Sequence, residues 1–165
     1  MLILRDSPGG AQISLDTMTE EAAQELGSGF AAIDPWAHYK FSAAALAAYL
    51  AKAESGAPRY VIRIGGALAG AVGIRSAWLR GPYLQFLGIL PAYQGQGAGQ
   101  LVLAWFEGTA RAHGERNIWV AASDFNSAAL KFYETHGFQR AARLDGLLED
   151  GETEILLRKK LIIKK

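Results

Sequence analysis

The segment Leu87-Gly88-Ile89-Leu90-Pro91-Ala92-Tyr93-Gln94-Gly95-Gln96-Gly97-Ala98-Gly99 holds the residues whose types and spacing say most about chemistry. It reads as an apolar strand stopped by a proline, three alternating glycines, and the first turn of an amphipathic helix. Pro91 has no N–H to give a sheet. Glycines let main-chain N–H groups converge on an anion with no Cβ in the way. The helix adds four unpaired N–H groups and the positive end of its dipole. Such a turn suits a pyrophosphate, and spacing narrows the ligand. A dinucleotide-binding G-x-G-x-x-G starting at Gly95 and Gly97 needs a third glycine where Gln100 stands. The phosphate loop of nucleotide hydrolases needs Gly-Lys-Ser/Thr, which is missing. Taken alone, the glycines leave a plain alternative, a tight strand-to-helix turn that binds nothing. Gly88, inside the strand, marks a bulge or a close backbone approach.

About thirty residues on comes Asn126-Ser127-Ala128-Ala129-Leu130-Lys131-Phe132-Tyr133, followed by Gly137-Phe138. On a helix Asn126 and Tyr133 lie two turns apart on nearly the same side, where both could face one ligand. Each also has an ordinary reading, Asn126 as an N-cap and Tyr133 as a half-buried core aromatic.

Together these segments resemble the GNAT superfamily of N-acyltransferases. Gln94-x-x-Gly97-x-Gly99 is similar to its acyl-CoA signature, Gln/Arg-x-x-Gly-x-Gly/Ala, and Leu87-x-Ile89-x-Pro91 to its fourth strand. Asn126 to Tyr133, closing with Gly137-Phe138, is similar to its Asn-x-x-Ala-x-x-x-Tyr segment. The resemblance covers residues 84–140 firmly and the rest through the order of elements. It implies acetyl-CoA (coenzyme A) as co-substrate, with no metal. The backbone of Leu87, Gly88 and Ile89 would pair with the pantetheine arm. Gln94, Gly95, Gln96, Gly97, Ala98 and Gly99 would hold the pyrophosphate, and Asn126 and Tyr133 would face the ligand. An amine would attack the thioester directly in a ternary complex, with the Ile89 N–H as oxyanion donor. Tyr133, the implied catalytic acid, would protonate the departing CoA thiolate. Many relatives carry a glutamate on the fourth strand or nearby. This strand has Tyr83 and Gln85 and no carboxylate, so the base stays open among relayed water, His38, Asp34 and Glu149.

The same resemblance puts the acceptor, a small-molecule or peptide amine, between the first two helices and a late turn. Residues 30–41 supply Phe30, Asp34, Trp36, His38, Tyr39 and Phe41, and Trp78 and Tyr83 are expected to face the same groove. Trp36, His38, Tyr39, Tyr83 and Gln85 are therefore the candidate substrate-binding residues. Aromatic walls hold a cation or an apolar amine substituent. A loop anchored to the core by its aromatics is the equal alternative. Two rivals stand beside the acetyltransferase reading: a non-catalytic acyl-CoA-binding or regulatory module, and a transferase for a longer acyl-CoA.

These residues must be positioned by one domain, because 165 residues with no repeat or linker fit a single unit over 1–165. Half the residues are hydrophobic, enough for a packed core, and no cysteine is present for disulfide, metal or acyl-enzyme chemistry. No metal-ligand spacing occurs. Lys plus Arg number 17 against 16 Asp plus Glu, a net charge of +1 that offers no general pull toward nucleic acid or membrane. The longest apolar stretch, residues 41–51, is too short to span a bilayer. The chain is thus expected to be cytoplasmic, with neither nucleic acid nor membrane as partner. Arg158, Lys159, Lys160, Lys164 and Lys165 read as charges keeping a terminal edge strand soluble; that strand is also a route to a homodimer.

Strands are predicted at 2–5 and 12–15 around Ser7-Pro8-Gly9-Gly10. A helix capped by Thr19 is expected to fade near Gly27-Ser28-Gly29, and a second runs from about Ser42 to Glu54. Strands at 59–64, 67–78 and 83–90 turn at Gly65-Gly66 and Gly81-Pro82, with a bulge at Gly73. The second half alternates: helix 98–113, strand 117–122, helix 126–136, strand 138–144, strand 153–161. That rhythm requires crossovers and a local parallel pairing. The predicted fold class is α/β: a single GNAT-like domain, a mixed, mostly antiparallel twisted sheet with a central parallel pair, flanked by about four helices.

Overall fold

A computed structural model describes residues 1–6 and 9–162. Part of the first predicted turn, Ser7-Pro8, and the basic residues Lys164 and Lys165 lie outside the described residues.

Eight strands form one sheet: β1 (Leu2–Asp6), β2 (Gln12–Thr17), β3 (Arg59–Ile64), β4 (Ala67–Arg75), β5 (Tyr83–Ile89), β6 (Asn117–Ser123), β7 (Gln139–Asp145) and β8 (Thr153–Lys160). Their order across the sheet is β1-β2-β3-β4-β5-β6-β8-β7, antiparallel except for β5 beside β6. Four helices flank it: α1 (Glu20–Ala31), α2 (Ala43–Ala51), α3 (Ala98–Ala112) and α4 (Ser127–Thr135). The α/β class and the central parallel pair are therefore as expected.

Local chemistry explains most boundaries. Thr19 caps α1 by accepting from the Ala22 N–H at 3.1 Å, and Ser42 caps α2 from Ala45 at 3.0 Å. Gly65 and Gly66 both have positive φ, 58° and 83°, as a two-residue hairpin requires.

Four expectations need correction. The first helix does not fade at Gly27; it runs on to Ala31. Gly27 is there for close packing, since a Cβ would lie 2.7 Å from the Ala43 carbonyl oxygen and 2.9 Å from the Ala47 nitrogen of α2. The second helix stops at Ala51 rather than near Glu54, because the chain must bring the Glu54 carboxylate to Arg59 (3.3 Å) and Arg75 (3.1 Å). Strand β4 ends at Arg75, not Trp78. The loop that follows folds over β6, where Trp119 Nε1 donates to the Leu79 carbonyl at 2.7 Å and Asn117 Nδ2 to that of Arg80 at 2.8 Å. Finally, the last strand is not an edge. It lies between β6 and β7, and two of its basic side chains have partners: Arg158 donates to Asn117 Oδ1 and Lys159 to Glu107 at 2.6 Å.

The two sheet faces have separate cores. Ile118, Val120, Ile155 and Leu157 pack with Val102, Phe106 and Leu130 under α3 and α4. Ala71 and Phe86 pack with Leu26, Phe30, Leu46 and Leu50 under α1 and α2. Each fully buried Leu or Phe stabilises by about 1.5–3 kcal/mol. Strand alternation then turns Trp119, Ala121, Ser123, Glu154 and Leu156 toward the α1/α2 face.

Candidate active site

The site begins where β5 and β6 part. Their pairing is confined to Tyr83↔Trp119 and Leu84↔Val120, while β6 pairs with β8 along its whole length. Between β4 and β5 the register passes from Gly73↔Phe86 to Ile74↔Leu84, which leaves Gln85 as an extra residue in β5. The bulge thus lies opposite Gly73, and it re-aims β5 just where β6 leaves it. Beyond Leu84 one side of β5 faces an open wedge.

Which main-chain groups face that wedge follows from the antiparallel ladder. Leu90 donates to the Ala69 carbonyl at 2.8 Å, so alternate residues, 88 and 90, turn their N–H groups to β4. The N–H groups of Leu87 and Ile89 then point into the wedge. The Ile89 carbonyl does too, and there it accepts from Gln94 Nε2 at 3.0 Å. Gln94 therefore braces the glycine turn against the strand. Gly88 has a different reason from a ligand's approach: a Cβ would sit 2.7 Å from Phe30 Cε1 and 2.9 Å from Trp36 Cη2.

The wedge opens onto the glycine turn. Gly95 and Gly97 are left-handed, with φ of 78° and 82°, and Gly97 is the N-cap of α3 with no side-chain cap. Among the described residues, the N–H groups of residues 95–100 donate to no protein group. Gln96 and Gly99 are half-buried, and Ala98, 2% exposed, seats the helix on the core. This concentration of free donors at the positive end of a 15-residue helix offers an anion the hydrogen bonds and the dipole field it needs.

Asn126 caps α4, its Oδ1 accepting from Ala129 at 3.2 Å, which leaves its amide nitrogen free to donate elsewhere. Tyr133 lies two turns along, its ring between Phe132 and Phe138 and 8% exposed. Its hydroxyl makes no hydrogen bond among the described residues. Burial, with the nearby Tyr83 phenol adding to it, raises its pKa well above the usual tyrosine value and keeps it protonated.

On the opposite face the predicted acceptor residues divide. Trp36 is seated in the core, stacked on Phe86 at 4.8 Å and against Phe30 at 4.9 Å. Gln85 accepts from the Tyr49 hydroxyl at 2.9 Å. Tyr83 stacks with Trp78 at 4.9 Å; burial and then the Glu154 charge push its phenol up to about 12. His38 stacks on Phe125 at 4.0 Å, and its Nε2 lies 2.7 Å from Glu152 Oε1. Asp34 and Glu149 are exposed on loops away from these contacts.

Two residues absent from the sequence prediction complete the cluster. Ser123 Oγ donates to Glu154 Oε1 at 2.7 Å, and the Tyr39 hydroxyl donates to the same oxygen at 3.2 Å. Glu154 is 7% exposed. Burial raises its pKa, against the lowering effect of Ser123 and Tyr39, and Glu152 adds to the rise. Its one sequence signal was strand alternation, which puts Glu154 opposite Ile155 and Leu157 in facing; the neighbouring acidic turn disguised it.

One cavity lies apart from this arrangement. An apolar groove of about 240 Å³, lined by Pro58, Tyr60, Trp105 and His113 among others, opens at the C-terminal end of α3, far from its glycine turn. It has neither the free N–H groups nor the buried polar groups, so the main-chain geometry marks the site better. Among the described residues no cluster of His, Asp and Glu could hold a metal ion, and no helix is long and apolar enough to cross a membrane.

A mixed sheet whose parallel pair splays beside a glycine-led helix defines the architecture of α/β acetyltransferases. The fold matches an acetyltransferase from Thermus thermophilus with a TM-score of 0.73 at 18% identity, over 90% of this chain and 97% of that one. It matches the ribosomal-protein-S18-alanine N-acetyltransferase of Escherichia coli with 0.72 at 18%, over 93% and 96%. A GNAT family acetyltransferase from Elizabethkingia anophelis, with acetyl-CoA bound, matches with 0.58 at 14%, over 65% and 78%. At these identities the likeness is one of fold. No curated protein sequence matches the chain. The sequence itself matches the acetyltransferase (GNAT) family over residues 15–138, and the chain belongs to that family.

Proposed function

We propose that this protein transfers an acetyl group from acetyl-CoA to a primary amine of a small molecule or peptide, by direct attack in a ternary complex. The observation that carries the reading is the conjunction of the β5–β6 wedge with the uncapped α3 N-terminus. Free N–H groups at residues 95–100 offer a diphosphate its hydrogen bonds. The groups of Leu87 and Ile89 offer a strand-like pairing to a pantetheine arm, with Ile89 as the oxyanion donor. Asn126 contributes its free amide nitrogen. Tyr133, protonated and without a hydrogen-bond partner, is the acid for the departing thiolate. Tyr39, Tyr83 and His38 line the acceptor side. A single domain over 1–165 acting in the cytoplasm completes the reading.

The test is thermal stabilisation by acetyl-CoA, NAD and ATP at equal concentration, followed by thiol release over a panel of phenethylamine, spermidine, amino acids, an aminoglycoside and short peptides. Acetyl-CoA should stabilise most, and at least one amine should release thiol. Greater stabilisation by NAD or ATP overturns the cofactor. Binding without thiol release from any amine favours a non-catalytic module, and faster release from a longer acyl-CoA favours that donor.

A further inference from the structure

The base is the missing part of this reading, and the structure offers a group that sequence did not. We infer that Glu154 takes the proton from the incoming ammonium group. This rests on the acetyltransferase reading above.

Position argues first. Ser123, the partner of Glu154 on β6, lies three residues beyond Val120; Leu87 lies three beyond Leu84, the partner of Val120. Gln85 is the extra residue of the bulge, so Leu87 advances about two regular strand steps and Gly88 about three, and Glu154 stands level with Leu87 and Gly88 across the wedge. Facing argues second. Glu154 turns to the α1/α2 side of the sheet and Tyr133 belongs to the α3/α4 core, so a thioester lying in the wedge has base and acid on opposite faces. Tyr83 lies between them, close enough to Glu154 to feel its charge and to Tyr133 to affect its phenol.

Hydrogen bonding argues third. Both hydroxyls, Ser123 at 2.7 Å and Tyr39 at 3.2 Å, engage Oε1. Oε2 accepts from no group among the described residues and is left for a proton. Burial makes this carboxylate more basic than an exposed one, which brings it nearer its task. The other candidates fit less well: Asp34 and Glu149 are exposed, and His38 Nε2 is held by Glu152 at 2.7 Å. The groups facing Glu154 are Tyr39 with His38 beyond it, Ser123, Glu152, Tyr83, and Leu144, its register partner on β7.

The steps balance. Glu154 accepts one proton from R–NH3+, and the amine's lone pair forms the C–N bond. The nitrogen loses its second proton as the C–S electron pair returns to sulfur. One proton ends on sulfur through Tyr133 and the other leaves to solvent. The products are the acetamide, CoA thiol and one H+.

The experiment compares the fastest amine of the panel with a hydrazide of matching shape, which is neutral at pH 7 and needs no deprotonation. Glu154→Gln should lower kcat/KM for the amine about 100-fold or more and for the hydrazide by less than about threefold. In the wild type, kcat/KM for the amine should fall on acidification as Glu154 gains a proton. In Glu154→Gln it should instead climb about tenfold per pH unit toward the amine's own pKa, since only free amine then reacts. Ser123→Ala keeps the carboxylate but removes a bond that favours its charged form, so the acid limb should move to higher pH. Calorimetric affinity for CoA confirms that each variant is folded. Equal loss on both nucleophiles, no loss on the amine, or an acid limb that stays put in Ser123→Ala overturns the inference while wild-type turnover stands. Failure of the wild type on every amine instead removes the transferase reading, and this inference with it.

Discussion

The glycine turn can be tested with one methyl group. Gly97 has φ +82° and ψ +6° and forms the N-cap of α3. For an L-residue the left-handed conformation costs roughly 1–2 kcal/mol, and alanine is also a poorer N-cap than glycine. In Gly97→Ala that strain must appear somewhere. If the turn keeps its shape, the folded state bears it, and the melting temperature falls by about 2–8 °C at roughly 2–4 °C per kcal/mol for a chain of this size. If the turn relaxes, residues 97–100 cease to present their N–H groups together, and diphosphate binding must restore the strained form. Affinity then drops by about 5- to 30-fold, at tenfold per 1.4 kcal/mol. The two losses together should approach the strain, whichever way it divides. Calorimetry with CoA supplies the affinity, and scanning calorimetry the stability. Pantetheine, which has no diphosphate, is the control: its inhibition should change little. If CoA binds Gly97→Ala as tightly as wild type with no loss of stability, or if pantetheine loses as much as CoA, the anion site is misplaced.

Two further outcomes are expected. Tyr133→Phe, which removes one unpaired hydroxyl from a buried ring, should reduce kcat by about 100-fold or more and leave the Kd for acetyl-CoA within about twofold; an unchanged kcat in stopped thiol-release assays removes it as the acid. The Tyr83 phenol, pushed up to about 12 by burial and then Glu154, holds its proton in the folded chain at pH values where the unfolded chain, near about 10, releases it. Its stability contribution is therefore complete below about pH 10 and fades between about 10 and 12; urea midpoints across that range should fall less steeply in Tyr83→Phe, and parallel curves would count against the shift.

How much of this was legible in sequence depended on how local each cause is. Thr19, Ser42 and Gly65-Gly66 act within four residues, and their caps and hairpin were readable. The alternating glycines and the segment from Asn126 to Tyr133 lie on adjoining elements, so the motifs that carry the family resemblance, and with it the proposed cofactor side, were visible in sequence. Gly27 was misread because its neighbour is α2, contacted at 2.7 Å across a helix interface, and a small residue for packing looks like a helix stop. The last strand was misread because its place between β6 and β7 is a property of the whole sheet. Glu154 was missed for a related reason: its partners Tyr39 and Ser123 are 115 and 31 residues away.

The wedge itself has a physical logic that ties these pieces together. At the near end of β6, bonds to the loop between β4 and β5 hold the strands together: Trp119 N–H donates to the Pro82 carbonyl at 3.1 Å and its indole to Leu79 at 2.7 Å. At the far end the Gln85 bulge turns β5 aside, while complete pairing with β8 keeps β6 in place. What remains is a row of main-chain groups, of which the N–H groups of Leu87 and Ile89 have no protein partner among the described residues while the Ile89 carbonyl is held by Gln94. A buried group left unpaired costs about 1–3 kcal/mol, so the open sheet favours a ligand that carries amides along its length and a charge at its end. A bare nucleotide supplies only the charge. An amide-bearing arm that ends in a diphosphate would supply both, and in the proposed reading it would deliver its thioester to the point where the strands part, with Tyr133 on one face of the sheet and Glu154 on the other.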